Sequence, residues 1–265
     1  MHRMPAVDPG QVSQGQEEET AAVHIAVADD DPELLERLSE ALRAAGHDFD
    51  SFSEGLTLMR SLRRQTYDVV LLDWNMPGAS GYDIVREAIE TLQAPPAFIL
   101  LTSRSAPEDI VDALRAGASD YIVKPESRRV IVARIEAAYR QRNPPRKTSR
   151  EEYGEFVIDH QAEKIFRADE HLALTTKEFA LATLFFANID RPLSREFLSR
   201  RVWGTSSDIQ SRTLDVHVSR IRIKLGLRPE NGFALKTVFA FGYRLDSYMQ
   251  EDGQQLSRAD GDERT

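Results

Sequence analysis

Short apolar runs alternate with amphipathic stretches through the first half of the chain. Residues 23–28, 47–52, 68–72, 97–101 and 120–123 are runs of strand length. Between them, Leu34, Leu35, Leu38, Ala41, Leu42 and Ala45 keep one face of a helix apolar, as do Ile84, Val85, Ala88, Ile89 and Leu92. Gly46 and Gly117 stand where helix C-caps are expected. Five strand–helix repeats predict an α/β, doubly wound, five-stranded parallel sheet in the order 2-1-3-4-5. That order sets the first and third strands side by side.

The pattern changes after a helix predicted from about Ser127 to Arg140. Pro144 and Pro145, among polar residues, predict an extended linker. Three short strand-like pieces follow, at 155–159, 164–167 and 171–174, and predict a small antiparallel platform. Thr175 and Glu178 have capping-box spacing ahead of an apolar stretch, which marks a helix start. Ser194 caps a second helix, and a third runs from about Arg212 to Leu225, stopping at Gly226. In the third, Leu214, Val218, Ile221 and Leu225 form the stripe to be buried, while Arg212, Thr213, Val216, Ser219, Arg220 and Ile223 fall opposite. Residues 235–239 and 242–245 predict a closing hairpin. The expected division is a disordered leader at 1–20, a first domain at 21–142, a linker at 143–150, a second domain at 151–247 and a disordered acidic tail at 248–265.

Composition adds limits to this picture. The 265 residues, 41% apolar, suffice for two cores, and the absence of cysteine excludes disulfides and thiolate metal sites. No stretch has the length and apolarity of a signal or membrane span, so a soluble, cytoplasmic protein without membrane contact is expected. The net charge of −9 argues against nucleic-acid binding until it is divided along the chain. Residues 21–143 carry 14 Lys/Arg against 20 Asp/Glu, and residues 150–248 carry 15 against 14. Between Ser194 and Lys224 there are 7 basic and 3 acidic residues. A local basic surface of this kind is what DNA requires.

The candidate chemistry sits at the ends of the apolar runs. Val69-Val70-Leu71-Leu72 stops at Asp73, followed by Trp74-Asn75-Met76-Pro77-Gly78. Alone, Asp73 would be read as a turn residue. Another run ends in Asp29-Asp30-Asp31, and two more end in Thr102 and in Lys124-Pro125. Acids, a hydroxyl and a lysine at the carboxyl edge of a parallel sheet point to phosphoryl transfer with a divalent cation. For the third helix of the second domain, a basic outer face is ordinarily a solvated one. Here arginines mix with Thr and Val, whose methyls suit thymine, at helix-turn-helix spacing, which favours a recognition helix.

With these motifs in place the chain resembles a two-domain response regulator of the OmpR/PhoB type from Val23 to Leu245. The receiver motifs are Asp29-Asp30, LLDWNMPG around Asp73, LLTS around Thr102 and DYIVKP around Lys124. The effector motifs are LTTKEF, the SREFL and VWG of Ser194 to Gly204, RTLDVHVSRIRIKL and FGYRL. The resemblance implies a flavodoxin-like receiver followed by an α+β winged helix-turn-helix domain. It implies that Asp73 accepts a phosphoryl group from a sensor histidine kinase, and that Mg²⁺ is held by Asp29, Asp30, Asp73 and the backbone carbonyl of Asn75. Thr102 and Lys124 then bind phosphoryl oxygens, and Tyr121 is the aromatic switch, its plain alternative being a half-buried strand residue. The expected dimer face comprises Ile110, Arg115, Asp120, Val130, Arg134 and Glu136. The expected DNA-binding set is Arg212, Thr213, Asp215, Val216, His217, Arg220, Arg222, Thr237 and Tyr243. The implied partners are promoter DNA, a second copy through the receiver and, as one further possibility, RNA polymerase.

The chain departs from the family at four places. Ile110 and Val130 are apolar where an ion pair is usual, Glu126 replaces Phe after Lys124-Pro125, and Phe239-Ala240 replaces the Arg-Gly of the wing. The last removes the arginine that would enter the minor groove. Ile223 likewise replaces a basic residue. Two rivals to a phosphorylation-controlled transcription factor share the same residues. One is a Mg²⁺-dependent phosphohydrolase acting through an aspartyl phosphate, which would need a substrate cap. The other is a DNA binder with a vestigial receiver, which the full set of receiver residues disfavours.

Overall fold

A computed structural model describes residues 22–144, 148–204 and 211–248. The expected leader, linker residues 145–147 and the tail beyond Tyr248 lie outside them. Five parallel strands form the first sheet: β1 (His24–Ala28), β2 (Asp48–Phe52), β3 (Val69–Asp73), β4 (Ala97–Thr102) and β5 (Asp120–Val123), in the order β2-β1-β3-β4-β5. Ala28 pairs with Leu72 in the register, so the carboxyl ends of β1 and β3 are adjacent. The helices are α1 (Pro32–Ala44), α2 (Gly55–Leu62), α3 (Gly81–Thr91), α4 (Pro107–Arg115) and α5 (Arg128–Arg142).

Strand alternation sorts β3 into two cores. Val70 and Leu72 pack with Leu58 and Leu62 of α2 and Ile84, Val85 and Ala88 of α3. Val69 and Leu71 pack with Leu38 and Leu42 of α1 and Ile131 and Ile135 of α5. Burial on both faces explains the unbroken apolar run. Asp31 caps α1, accepting from the backbone N–H groups of Glu33 and Leu34, so the third acid of the triplet has a structural job.

The second domain begins with four antiparallel strands, β6 (Arg150–Tyr153), β7 (Phe156–Asp159), β8 (Lys164–Arg167) and β9 (Glu170–Leu172). Three were expected. The extra strand, β6, is an edge built of Arg-Glu-Glu-Tyr whose Tyr153 alone packs on the core, so its charge hides it in the sequence. Then come α6 (Thr176–Phe186), β10 (Leu193–Ser194), α7 (Arg195–Trp203), α8 (Ser211–Lys224), β11 (Phe233–Val238) and β12 (Gly242–Ser247). The last sheet has the order β10-β12-β11. At Gly242 a Cβ would lie 2.1 Å from the Leu193 carbonyl oxygen, so only glycine lets β12 pair with β10 there. Phe185, Phe186, Phe197, Leu198 and Leu245 join the buried stripe of α8 in one core.

The domains meet at the amino ends of β1 and β3. Arg191, Arg200 and Arg201 of the second domain bond to Asp50 and Asp68 of the first. Asp73 and Asp29 occupy the opposite ends of the same strands.

Candidate phosphoacceptor site and nucleic-acid interface

Asp73 ends β3 and Asp29 directly follows β1; both are buried. The Lys124 Nζ lies 2.6 Å from Asp29 Oδ2 and 3.0 Å from Asp73 Oδ1, spanning the two acids from the end of β5. Its own backbone N–H donates to the Thr102 carbonyl at 2.8 Å, which fixes the lysine relative to β4. The other Asp73 oxygen accepts from the Asn75 N–H at 2.8 Å. Burial pushes the Asp29 carboxyl above its ordinary range, and the Asp73 charge adds to this against the pull of Lys124 and the Asp31 N–H. Burial works against the Lys124 ammonium too, but its hydrogen bonds to Asp29 and Asp73 outweigh that and raise its pKa.

Thr102 is fully buried, and its Oγ1 accepts from the Arg104 N–H at 3.3 Å. Tyr121 points inward: it is 9% exposed, and its hydroxyl donates to the Arg104 carbonyl at 2.8 Å. The same loop is held from outside, since the Arg104 guanidinium lies 5.2 Å over the Trp74 ring, which stacks on Tyr82. Asp30, by contrast, stays exposed at the rim. Among the described residues no three His, Cys, Asp or Glu side chains converge closely enough to hold an ion. The pair that does converge is Asp29 and Asp73, about the ammonium.

On α8 the expected stripe Leu214, Val218, Ile221 and Leu225 is buried, and Arg212, Thr213, Val216, Ser219, Arg220 and Ile223 are exposed. Tyr243 requires a correction. It is 4% exposed, and its hydroxyl donates to Asp215, which also pairs with Arg195. Tyr243 therefore holds α8 against β12 rather than presenting itself outward, while the Asp215 side chain, 43% exposed, takes part in the same tie and still reaches the surface. Burial of Asp215 is outweighed by the hydrogen bonds from Tyr243 and Arg195, and its pKa falls. Arg222 donates to the Leu235 carbonyl at 2.7 Å and to Thr237 Oγ1 at 3.0 Å, bracing α8 against β11. His217 turns back on its own helix, bonded to the Thr213 carbonyl at 2.8 Å.

The comparison with known proteins matches residues 25–136 to the response regulator receiver domain and residues 169–245 to the transcriptional regulatory protein C-terminal family. The DNA-binding response regulator MtrA of Mycolicibacterium smegmatis is 34% identical over 226 residues, covering 85% of this chain and 98% of the relative. The chain is a response regulator of the OmpR/PhoB type. The transcriptional regulatory protein AfsQ1 of Streptomyces coelicolor is 35% identical over 82% of the regulator and 96% of its own length. QseB of Escherichia coli O157:H7 is 34% identical, over 84% and 99%. The regulator thus pairs a receiver with a DNA-binding domain, and among its described residues no helix is long and apolar enough to cross a membrane.

The expected dimer face of the regulator is brought together only in part. Val130 and Arg115 are exposed, Ile110 is half-buried against the core, and Asp120 pairs with Arg134 at 2.9 Å within one chain. Glu136, two positions beyond Arg134 on α5 and so turned another way, lies 3.4 Å from the His47 ring and 3.9 Å from Arg140. Not expected from the sequence were the exposed Val111, Leu114 and Val123, which lie on α4 and β5, two of the elements that with the α5 of Val130 make up this face. Their signal was present, as apolar residues outside the buried stripe. Gly81 was likewise not expected; a Cβ there would lie 2.3 Å from the Asp73 carbonyl oxygen, so only glycine lets α3 start against the site. Ser80-Gly81, a cap followed by glycine, was the available hint.

Proposed function

We propose that phosphorylation of Asp73 by a sensor histidine kinase controls this regulator's binding to promoter DNA. The observation that carries the reading is the Lys124 ammonium held between two buried carboxylates at the carboxyl edge of the sheet. In the transfer, an Asp73 oxygen forms a bond to phosphorus as the P–N bond to the kinase imidazole breaks. The imidazole keeps the electron pair and takes up a proton. Lys124, already beside both acids, offsets the charge of the phosphoryl group, and the Thr102 hydroxyl supplies a hydrogen bond to it. Asp29, Asp73, Asp30 and the Asn75 carbonyl offer only oxygen donors, the set that Mg²⁺ prefers; when bound, the ion neutralises phosphoryl charge. Tyr121 shares the Arg104 loop with Thr102, which supports its role as the switch.

Arg212, Thr213, Val216 and Arg220 are the residues of α8 proposed to enter the major groove. The regulator would act in the cytoplasm as a receiver-paired dimer, its domains divided at 21–142 and 151–247, with RNA polymerase as a further partner. A phosphohydrolase fits less well, since the second domain docks at the opposite end of the strands from Asp73 rather than over it. The test is labelling with acetyl phosphate and Mg²⁺. Wild type should take up one phosphoryl group and Asp73→Asn none; label persisting in that variant would remove the assignment.

A further inference from the structure

Phe239, 96% exposed, and Ile223, 78%, are the most open large apolar side chains among the described residues. A lone apolar residue at a surface is ordinary and needs no function. Phe239 differs in how it is held. It sits at the tip of the β11–β12 hairpin, in a turn closed by the Phe241 N–H donating to the Val238 carbonyl at 3.1 Å. Ala240 completes that turn in the left-handed region, φ 55°, which favours glycine, so backbone strain is accepted to keep this shape. Behind the tip, the Phe241 carbonyl accepts from the Arg195 N–H at 3.1 Å, and Gly242 is pressed against β10. The ring is thus presented on a fixed mount rather than on a loose loop. It borders a cavity of about 270 Å³ shared with Leu62 and Leu92 of the receiver, yet it stays outside that cavity and open to solvent with the domains in contact.

The mount is also tied to α8. Thr237 and Tyr243 pair across the hairpin one rung below its last. Arg222 of α8 donates to Thr237 Oγ1 at 3.0 Å and lies 5.5 Å over the Tyr243 ring, whose hydroxyl donates to Asp215. Phe239 is two residues past Thr237, a span of at most about 7 Å. A minor groove is about 6 Å wide and borders the major groove across one phosphate backbone. With α8 in the major groove, the tip therefore lies within about one groove's width of it. Composition decides what the tip can do there. Val238-Phe239-Ala240-Phe241-Gly242 carries no charge and no side-chain hydrogen-bond donor, so it neither neutralises a phosphate nor reads a base edge. An apolar ring can instead enter between base pairs and open the step. Resting on the reading of α8 as a major-groove helix, we propose that Phe239 is a wedge that unstacks one base step in the adjoining minor groove and bends the duplex. Its target is a pyrimidine–purine step such as TA or CA, which unstacks most readily. Part of the site is then selected by deformability, at a position where no base edge is read.

The test uses the full chain and a duplex that wild type enriches from a random-sequence pool, with the fluorescent base 2-aminopurine placed in turn at each purine. Wild type should brighten one such base severalfold, at a pyrimidine–purine step, and shorten the end-to-end distance of the duplex measured by energy transfer. Phe239→Ala should abolish both signals and weaken binding on the order of tenfold without altering its salt dependence, since no phosphate contact is lost. Phe239→Leu keeps an apolar wedge and should retain both signals in part. Phe239→Arg should lose the brightening and steepen the salt dependence by about 0.9 in slope for each phosphate it neutralises. Because the side chain is almost wholly in solvent, all three variants should melt as wild type does. No brightened base with wild type, Phe239→Ala binding as tightly as wild type, or weaker binding that leaves the brightening in place would each overturn the proposal. Wild type that enriches no sequence and binds no duplex would instead remove the DNA reading beneath it.

Discussion

Arg220 and Arg222 are two positions apart on α8 and do different work. Arg220 is exposed on the outer face, whereas Arg222 is half-buried and bridges to Leu235 and Thr237. Arg220→Ala should lose roughly 1–3 kcal/mol on a specific site, relax preference at one base and leave the melting temperature unchanged. Arg222→Ala should weaken binding to all sequences and also lower the melting temperature, because the brace to the wing is lost. Binding to specific and random duplexes, with thermal melts of both variants, separates the two; equal losses on both duplexes for Arg220→Ala would contradict its role. At this scale the sequence announces residues whose position alone defines them. Asp73 and Lys124 end strands, and Arg220 falls opposite a buried stripe. It does not announce residues defined by a partner distant in the chain, such as Tyr243 with Asp215, Glu136 with His47, or Gly81 against the Asp73 carbonyl.

Among the elements, α6 shows how a local motif acquires a tertiary task. Thr175 and Glu178 form the capping box that their spacing predicts, and Glu178, 1% exposed, also takes the Lys224 ammonium at 2.7 Å. One carboxylate thus starts α6 and ties down the end of α8. Burial favours its neutral form, yet the Lys224 and Thr175 hydrogen bonds prevail and hold its pKa below the ordinary 4.5. A carboxyl depressed on folding stabilises fully above its unfolded value and loses that contribution as pH falls through the folded one. Glu178→Gln should therefore flatten the acid limb of a stability–pH profile below about pH 4.5, measured by urea denaturation. Glu178→Ala should cost about 1–3 kcal/mol at neutral pH, since Lys224 is partly exposed and can turn to water. Capping chemistry is legible because it is local. The strand β6 was not, because a charged edge strand has the composition of a linker.

At the scale of the whole molecule the open question of pairing turns on the α4–β5–α5 surface. Val111, Leu114, Val123 and Val130 are 37–48% exposed there, together with the half-buried Ile110. Burying such area yields about 25 cal/mol per Å² and is not screened by salt. Dimers of the phosphorylated full chain should therefore persist from low to high salt in sedimentation, and Val130→Asp should dissociate them. A dimer indifferent to Val130→Asp would place pairing on another surface. The doubly wound sheet and its order were legible from periodicity, since burial on both faces leaves unbroken apolar runs. The contact between the domains was not. Arg200 and Arg201 read in sequence as part of a basic surface for DNA, and nothing in their spacing tells a phosphate partner from Asp50 and Asp68.

The same seam bears on how freely the two halves could be exchanged with those of related regulators. Asp68 is almost completely enclosed, and its charge is balanced by two side chains from the other half. A chimera joining this receiver to a foreign effector lacking equivalents of Arg191 and Arg201 would inherit an acid without counter-ions, and the reciprocal graft would inherit bare guanidiniums. Recombination within the family would then preserve function only when the two halves travel together or when matching substitutions cross with them, so modular architecture here carries a compatibility requirement that neither half reveals alone.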